Sequence, residues 1–235
     1  MGYDPAVCGR YSLTTPRDVL VDLFDLADAE AVEARYNIAP TQEAAVVRES
    51  EGRRTLEALR WGLVPSWADD PSIGGRLINA RSESAAEKPS FAESLRERRC
   101  LVPADGFYEW KPGPGRTRQP FWIRRPDGSP FAMAGLWDRW GSGDEALESF
   151  TILTTAANER LAPLHDRMPV LLPPDEWGRW LAPGASEVEA LRPLLAPAPP
   201  EALELVPVSD WVNSVANEGP RCIERTEPAQ ASLFG

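Results

Sequence analysis

The chain has 235 residues, of which 43% are hydrophobic and 26% are charged, which is ordinary for a globular protein. No apolar run approaches the roughly 18–20 residues that a membrane-spanning helix needs, and no signal-peptide core opens the sequence. We therefore expect a cytoplasmic protein that has no membrane association. Its net charge of −11 argues at first against nucleic acid as a partner.

The charge is unevenly distributed along the chain. Residues 53–125 contain 14 lysines and arginines against 9 acidic residues, whereas residues 126–235 contain 7 arginines against 17 acidic residues. An acidic total therefore hides a basic middle third that could face DNA phosphates. Lys88 and Lys111 are the only lysines. Heavy arginine use suits bidentate phosphate contacts, but a GC-rich genome explains it equally, and both explanations stay open.

The three cysteines, Cys8, Cys100 and Cys222, are odd in number and far apart, which argues against a disulfide framework. A single histidine and the lack of a CxxC pair argue against a structural zinc site. We expect neither a metal nor a cofactor.

In chain order, Thr14-Thr15-Pro16 followed by an apolar face predicts a capped helix over Arg17–Ala34. Further helices are predicted at Ser84–Arg98, Asp175–Leu181 and Glu187–Leu195. The proline-rich segment Ala196–Glu201 predicts a loop, and Thr226–Gly235 predicts a flexible tail.

Short β-forming runs, most of them bounded by Gly, Pro, Asn or Asp, make up the rest of the pattern. They are Ala44–Arg48, Thr55–Trp61, Leu77–Ala80, Cys100–Pro103, Phe121–Arg124, Phe131–Leu136, Phe150–Thr154 and Pro169–Leu172. Many short strands with a few helices favour an α+β fold. We expect a single domain over residues 8–225, with mixed, mostly antiparallel sheets in a barrel-like core and flanking helices.

Four side chains could carry chemistry, and each also has a structural explanation. Cys8 is a free cysteine near the N-terminus, which is more often inert. His165 is the one side chain that ordinarily titrates near neutrality, although a lone histidine is often structural. Glu109 lies among three aromatic residues, so burial would raise its pKa, unless the strand turns it to solvent. Asn79 follows an apolar run, where a turn explains it as well as a site does.

Two segments combine rigid turns with aromatic or apolar residues, namely Asn37–Pro40 and Trp61–Trp67. Tryptophan beside arginine is typical of a surface that stacks bases and binds phosphates. It is equally typical of a loop pinned onto a core. Taken alone, none of these signals is strong.

Taken together and in order, the segments resemble the SRAP family, the SOS-response-associated peptidases or abasic-site-processing proteins. The resemblance runs from residue 8 to about residue 220 and is specific as a combination. The matching stretches are CGRY (8–11), RYNIAPTQ (35–42), WGLVPSWA (61–68), INARSESAAEKPSF (78–91), RRCLVPADGFYEW (98–110), PFWI (120–123), AGLW (134–137), FTILTTAAN (150–158), LAPLHDRMPVLL (161–172) and VNSVANEGP (212–220).

The resemblance implies a protein that binds single-stranded DNA and reacts with abasic sites. By motif, Cys8 is the nucleophile, and Asn79, Glu109 and His165 complete the active site. Family members use an N-terminal cysteine whose amine and thiol capture the abasic aldehyde as a thiazolidine. Adjacent nucleophiles on one residue give such a ring closure a high effective concentration.

The resemblance also implies residue roles. Glu109 would shuttle protons, His165 would move a proton at the sugar oxygen, and Asn79 would orient the deoxyribose. The residues expected to contact DNA are Arg10, Asn37, Pro40, Trp67, Arg81 and Thr154. Among these, Arg10 and Arg81 suit phosphates, Pro40 and Trp67 suit bases, and Thr154 suits the pocket wall.

The sequence departs from the family pattern at two places. Seven residues precede Cys8, so as written its nitrogen is an amide and forms no thiazolidine. Residues 1–7 are either a mis-assigned start, because a GTG codon for Val7 can initiate with Met, or a leader removed by cleavage. In addition, residues 68–75 form a longer loop in which Asp69 and Asp70 could weaken phosphate contacts.

Two other functions stay open. Cys8 and His165 with a carboxylate or amide could form a cysteine peptidase, acting on itself or on other proteins. If residues 1–7 stay in place, the chain could instead be a non-covalent DNA-binding module. A strand-cleaving lyase side activity is also open. We expect a monomer that meets the bacterial nucleoid during repair.

Overall fold

The computed structural model describes residues 8–113, 118–182, 184 and 188–227. The predicted leader at residues 1–7 lies outside the described residues, as do residues 228–235 of the predicted tail. The helices are α1 (Arg17–Phe24), α2 (Ala92–Glu97), α3 (Trp177–Leu181) and α4 (Val188–Leu191). Within the described ranges, no helix is long and apolar enough to cross a membrane.

Strands dominate the structure. They are β1 (Tyr11–Leu13), β2 (Leu26–Ala29), β3 (Arg35–Ile38), β4 (Glu43–Ser50), β5 (Arg53–Trp61), β6 (Asn79–Arg81), β7 (Arg99–Ala104), β8 (Gly106–Pro112), β9 (Arg118–Arg124), β10 (Phe131–Trp140), β11 (Leu147–Ala156), β12 (Arg167–Pro169), β13 (Leu171–Leu172) and β14 (Glu204–Pro207).

The strands form two sheets. One has five strands in the order β14-β9-β8-β1-β3, and the other has nine, with β12-β11-β10-β7-β4-β5-β2 as its main path. Strand β6 adds to β11, and β13 adds to β10. Strand β5 also pairs in parallel with β11, which joins β11, β10, β7, β4 and β5 into a closed ring. Most of the pairings are antiparallel, so the predicted α+β fold is confirmed.

The first predicted helix is half as long as the sequence pattern indicated. Helix α1 ends at Phe24 because Asp25 adopts a left-handed conformation (φ 52°) and its N–H bonds to the carbonyl of Val21. The chain then pairs with β5 as β2, so ladder hydrogen bonds prevail over the apolar periodicity. Thr14 and Thr15 do not cap the helix, because both bind the carboxylate of Asp105.

The second predicted helix, Ser84–Arg98, is helical only over Ala92–Glu97. Pro89 disfavours the helical conformation of the residue before it, and the preceding residues form turns instead. The eight predicted strands are all present, several of them longer than predicted. Strands β1, β2, β3, β8 and β14 were missed.

The core divides along strand β8 because alternate side chains point to opposite faces. Phe107 joins the main core, where Trp61 donates to the carbonyl of Ile78 at 2.8 Å. Tyr108 joins a smaller cluster on the other face with Val208, Val212 and Cys222. Glu109 follows Tyr108 and so faces the same side as Phe107.

Candidate active site

Cys8 lies just before β1 and is fully buried against the main core. Its backbone N–H donates to Oε1 of Glu109 at 2.7 Å. Its φ is +47°, in the left-handed region that residues with a Cβ rarely adopt. Strained conformations of this kind often accompany functional sites.

The contact between Cys8 and Glu109 follows from strand register. Tyr11 pairs with Phe107 and Ser12 with Gly106 in the antiparallel β1–β8 ladder, and the N–H of Tyr108 bonds to the carbonyl of Arg10. Continuing this register brings the segment just before β1 alongside Glu109, so that Cys8 contacts its side chain. Gly106 leaves room for Trp122 of β9, since a Cβ there would lie 2.2 Å from its Nε1, which donates to the hydroxyl of Ser12 at 3.0 Å.

Glu109 is a buried carboxyl, with 5% of its surface exposed. Burial raises its pKa to about 7, although the Cys8 N–H and the charge of His165 act in the opposite direction. A carboxyl with a pKa near the working pH can both accept and donate protons. The structure therefore places a buried carboxyl of raised pKa 2.7 Å from the nitrogen of Cys8.

The Cys8 thiol has the opposite character to an activated nucleophile. Burial, and then the charge of Glu109, raise the pKa of this thiol well above its ordinary value. Thiol peptidases instead lower the pKa of their cysteine with a neighbouring positive charge. At neutral pH the sulfur of Cys8 is protonated, so a base must take its proton before it reacts.

His165 lies on the loop between β11 and β12. Asn158 stabilises this loop by accepting from the N–H groups of Arg160 and Leu161, and the N–H of His165 bonds to the carbonyl of Leu161. Nδ1 of His165 accepts from the N–H of Arg167 at 3.1 Å and lies 2.8 Å from a carboxylate oxygen of Asp166. The electrostatic effect of His165 lowers the pKa of Glu109, so the loop brings His165 within electrostatic range of that carboxyl.

Asn79, Arg81 and Thr154 come together through the parallel pairing of β6 with β11. Asn79 pairs with Ile152, and Arg81 pairs with Thr154. Thr154 is buried, whereas Arg81 is exposed and Asn79 is half-buried. The pairing places Asn79 and Arg81 on β6 beside β11, where Thr154 also pairs with Pro169 of β12.

Arg167 is a site neighbour that the sequence analysis missed. Its guanidinium forms two 2.7 Å bonds to the carboxylate of Glu83 and donates to the carbonyl of Thr154 at 2.6 Å. Its side chain is only 11% exposed. Arg167 therefore links β12 to the carbonyl of Thr154 on β11 and to Glu83, which follows β6.

Arg10 and Asn37 form a second group. Arg10 Nη1 donates to Oδ1 of Asn37 at 2.8 Å and to the carbonyl of Val212 at 2.9 Å. Asn37 Nδ2 donates to the carbonyls of Val212, Ser214 and Asn217. Both side chains therefore hold residues 212–217, here called the 212–217 loop.

Pro40 and Trp67 lie on two further loops. Pro40 is half-buried after β3, whereas Trp67 is 55% exposed and donates from Nε1 to the carbonyl of Pro89 at 3.4 Å. Asp70, in the acidic loop after Trp67, accepts from the N–H and hydroxyl of Ser72. Among the described residues, no three His, Cys, Asp or Glu side chains are grouped to hold a metal ion.

The fold and the site define an α+β protein in which a buried cysteine near the N-terminus contacts a carboxyl of raised pKa. The family model for SOS response associated peptidase (SRAP) matches residues 7–215. The chain belongs to this family, as the sequence resemblance predicted.

Several relatives match over most of their length. The chain is 39% identical to the abasic site processing protein YoqW of Bacillus subtilis and 34% identical to YedK of Escherichia coli; each match covers 93% of this chain and 99% of the relative. A protein from Bacteroides thetaiotaomicron of known crystal structure superimposes with a TM-score of 0.83 at 26% identity, covering 94% of this chain and 100% of that one.

Proposed function

We propose that this chain processes abasic sites by binding single-stranded DNA and joining covalently to the abasic aldehyde through Cys8, which protects the lesion. The observation that carries the proposal is the 2.7 Å contact between the nitrogen of Cys8 and the buried carboxyl of Glu109. The relatives YoqW and YedK are abasic site processing proteins, which supports the proposal.

The reaction needs both nucleophiles of an N-terminal cysteine. The neutral amine adds to the aldehyde carbon, and the carbinolamine loses water to give a Schiff base. The sulfur then adds to the same carbon and closes a five-membered thiazolidine. Overall, one aldehyde and one aminothiol give one thiazolidine and one water. Holding both nucleophiles on adjacent carbons makes ring closure intramolecular and therefore fast.

Glu109 is suited to the proton transfers of this sequence. As a carboxylate it takes a proton from the Cys8 amine, and as an acid it donates a proton to the departing hydroxyl. A pKa of about 7 keeps both forms populated at neutral pH. The thiol, whose pKa is raised, then gives its proton to a base as it closes the ring. His165 acts at the sugar oxygen to favour the open-chain aldehyde, and Asn79 orients the deoxyribose.

We assign the DNA contacts to Arg10, Asn37, Pro40, Trp67, Arg81 and Thr154. Trp67 and Arg81 are exposed and suit a base and a phosphate respectively. Thr154 is buried and suits the pocket wall. In this conformation Arg10 and Asn37 hold the 212–217 loop, so their contribution to DNA binding includes placing that loop. The chain acts as a monomer in this proposal.

The mechanism requires that Cys8 be the first residue of the active protein. Translation from the Val7 codon followed by removal of the initiator Met would achieve this. Self-cleavage would also do so. In that route the Cys8 sulfur attacks the preceding carbonyl, the C–N bond breaks as a C–S bond forms, and water hydrolyses the thioester. This second route is the autopeptidase activity that the family description suggests.

Two related activities define the alternatives. A peptidase that acts on other proteins would need an activated thiol, and the raised pKa of Cys8 disfavours it. A lyase activity follows from the Schiff base, which acidifies the neighbouring C–H and allows elimination of the 3′ phosphate. Closure of the thiazolidine competes with that strand cleavage.

The test uses two forms of the protein, one beginning at Met1 and one processed to begin at Cys8. Each is mixed with single-stranded DNA that carries one abasic site, and the products are run on a denaturing gel beside intact masses. We expect a heat-stable shifted band from the Cys8 form, and from the Met1 form only after residues 1–7 are lost. Cys8→Ala should abolish the band and retain DNA binding. DNA binding without a band from either form would overturn the covalent mechanism.

A further inference from the structure

His165 is the only histidine in the chain, and 12% of its side chain is exposed. A neutral imidazole carries its proton on either Nδ1 or Nε2, and the neighbours of one nitrogen decide which. Nδ1 contacts both the backbone N–H of Arg167, at 3.1 Å, and a carboxylate oxygen of Asp166, at 2.8 Å. These neighbours make opposite demands, because the N–H needs a lone pair on Nδ1 and the carboxylate needs a proton there.

The backbone N–H of Arg167 is held in place on both sides of the residue. Arg167 pairs with Ala156 in the β11–β12 ladder. Its guanidinium adds two 2.7 Å bonds to the carboxylate of Glu83 and one of 2.6 Å to the carbonyl of Thr154. A backbone amide keeps its hydrogen at neutral pH, so this fixed N–H requires a lone pair on the nitrogen that it meets.

The carboxylate of Asp166 competes weakly for Nδ1. Its side chain is 81% exposed, so water can satisfy its oxygens and its pairing with the imidazole contributes little. A proton on Nδ1 would instead set two donors against each other and leave the N–H of Arg167 without an acceptor. Asp166 becomes the partner of Nδ1 when the ring takes up a second proton, since both ring nitrogens are then donors. In the neutral ring, Nδ1 keeps its lone pair and Nε2 carries the hydrogen.

We infer that His165 acts as a neutral hydrogen-bond donor through Nε2–H, and that Arg167 is the positioning residue that sets this tautomer with its backbone N–H. The inference rests on the proposed function, in which His165 acts at the ring oxygen of the deoxyribose. A neutral imidazole stabilises negative charge that develops on this oxygen. It does not hand over its proton, because losing it would leave a strongly basic imidazolate.

Ring opening then leaves His165 unchanged. The Glu109 carboxylate takes the proton of the hydroxyl on the anomeric carbon. The bond from that carbon to the ring oxygen breaks as the C=O bond forms, and the Glu109 carboxyl returns the proton to the ring oxygen. The closed sugar becomes the open aldehyde with no net gain or loss of protons or electrons. Glu109 therefore carries the proton transfers of this step, and His165 stabilises the charge that they create.

The first test reads the tautomer directly. Because the chain has one histidine, ¹⁵N labelling of histidine gives the ring signals of His165 alone. The two ring nitrogens are correlated with the carbon-bound ring hydrogens at about pH 8.5, where an ordinary imidazole is neutral. We expect hydrogen on Nε2 and none on Nδ1, in the wild type and equally in Asp166→Asn. Hydrogen on Nδ1 of the wild type, or a pattern that changes in Asp166→Asn, would overturn the inference.

The second test separates a hydrogen-bond donor from a proton-transfer group by single-turnover cross-linking to single-stranded abasic DNA, using the form that begins at Cys8. A glutamine amide donates a hydrogen bond but transfers no proton. Removing a donor from developing negative charge costs about 10²–10³ in rate, so we expect that loss in His165→Ala and recovery of most of it in His165→Gln. Asp166→Asn should cross-link at the wild-type rate.

Two kinetic results would contradict the donor role. His165→Gln that is as slow as His165→Ala would show that a proton has to move, and His165→Ala at the wild-type rate would show that no donor is needed. The tautomer measurement requires neither DNA nor cross-linking. A wild-type protein that has the expected tautomer but never cross-links would therefore overturn the proposed function and not the assignment of Nε2–H.

Discussion

Glu109 and Glu218 are two carboxyl groups that the fold treats in opposite ways. Glu109 is buried, accepts the N–H of Cys8, and has a pKa raised to about 7 because burial dominates. Glu218 is also affected by burial, but hydrogen bonds from the N–H of Tyr36 and from Arg35 outweigh it and lower the pKa. The first carboxyl can change its protonation near neutral pH, whereas the second remains charged.

The difference distinguishes the carboxyl of the proposed active site from one that attaches a segment of the chain. Glu218 bonds to β3 and, together with Asn37, holds the end of the chain that includes the 212–217 loop. Glu218 accepts hydrogen bonds from Arg35, Tyr36 and Asn37, and its pKa is lowered, whereas burial dominates at Glu109 and raises its pKa. Perturbed pKa values of the kind found at Glu109 tend to cluster at functional sites.

The largest expected effect tests Glu109 as the proton-transfer group. Glu109→Gln keeps the shape of the side chain but cannot exchange a proton, so the cross-linking rate should fall by about 10²–10⁴-fold. The wild-type rate should change with an inflection near pH 7, and the variant should lose that inflection. Single-turnover cross-linking from pH 5 to 9 measures both. Glu218→Gln serves as the control, and a variant at Glu109 with the wild-type profile would refute the assignment.

The next effect concerns stability. The pKa of Glu109 is higher in the folded state than in the unfolded state, so the folded protein binds the extra proton and loses stability as pH rises from about 4.5 to 7. Glu109→Gln should remove that loss, making the variant about 3 kcal/mol more stable relative to wild type at pH 8 than at pH 4. Urea unfolding at both pH values measures the difference. A difference that does not vary with pH would contradict the raised pKa.

A smaller effect is expected at the attachment of the loop. Asn37→Ala removes three donated hydrogen bonds and leaves the carbonyl groups of the 212–217 loop without this partner. We expect a loss of about 2 kcal/mol in the free energy of unfolding. The pH inflection of cross-linking should remain near 7, because the nitrogen of Cys8 and Glu109 are untouched. A shifted inflection would show that the two regions are not separate.

The smallest effect is expected at Glu218. Its lowered pKa stabilises the folded state above the ordinary glutamate pKa of 4.5, and this contribution is lost as pH falls through the folded value. Since the side chain is 39% exposed, solvent screening keeps the contribution below about 1 kcal/mol. Glu218→Gln should therefore be slightly less stable than wild type at pH 7 and equal to it in strong acid. Urea unfolding at several pH values should show that the stability difference from wild type changes with pH in the opposite direction to that of Glu109→Gln.

Local pattern predicted the longer strands but not their partners. Runs such as Thr55–Trp61 and Phe150–Thr154 are apolar enough to identify from sequence, whereas their parallel pairing joins segments nearly a hundred residues apart. Strands β1 and β8 have little pattern of their own. Strand β1 forms by pairing with β3 and β8, and β8 forms by pairing with β9 along all seven of its residues. Helix α1 stops early for the same reason, since its continuation pairs with β5.

The site was predicted by residue type but not by environment. The sequence left two orientations open for Glu109, and only the register of β8 decides that it faces the interior. Asn37 was predicted to contact DNA, and this stays a prediction; no pattern in the sequence indicated that its amide also holds the 212–217 loop, which lies 175–180 residues further along the chain. Arg167 was missed because two charged residues next to a histidine are typical of a surface, and only the fold brings Glu83 beside Arg167.

The contact between Cys8 and Glu109 joins residues 101 positions apart. During synthesis the cysteine is therefore among the first residues of the domain to leave the ribosome, and its proton acceptor follows long afterwards. His165 arrives later still. The contact between the nitrogen of Cys8 and a buried carboxyl therefore forms only after residue 109 has been made and β1 has paired with β8. Under the proposed function, Cys8 would gain its assisting carboxyl only in the folded domain.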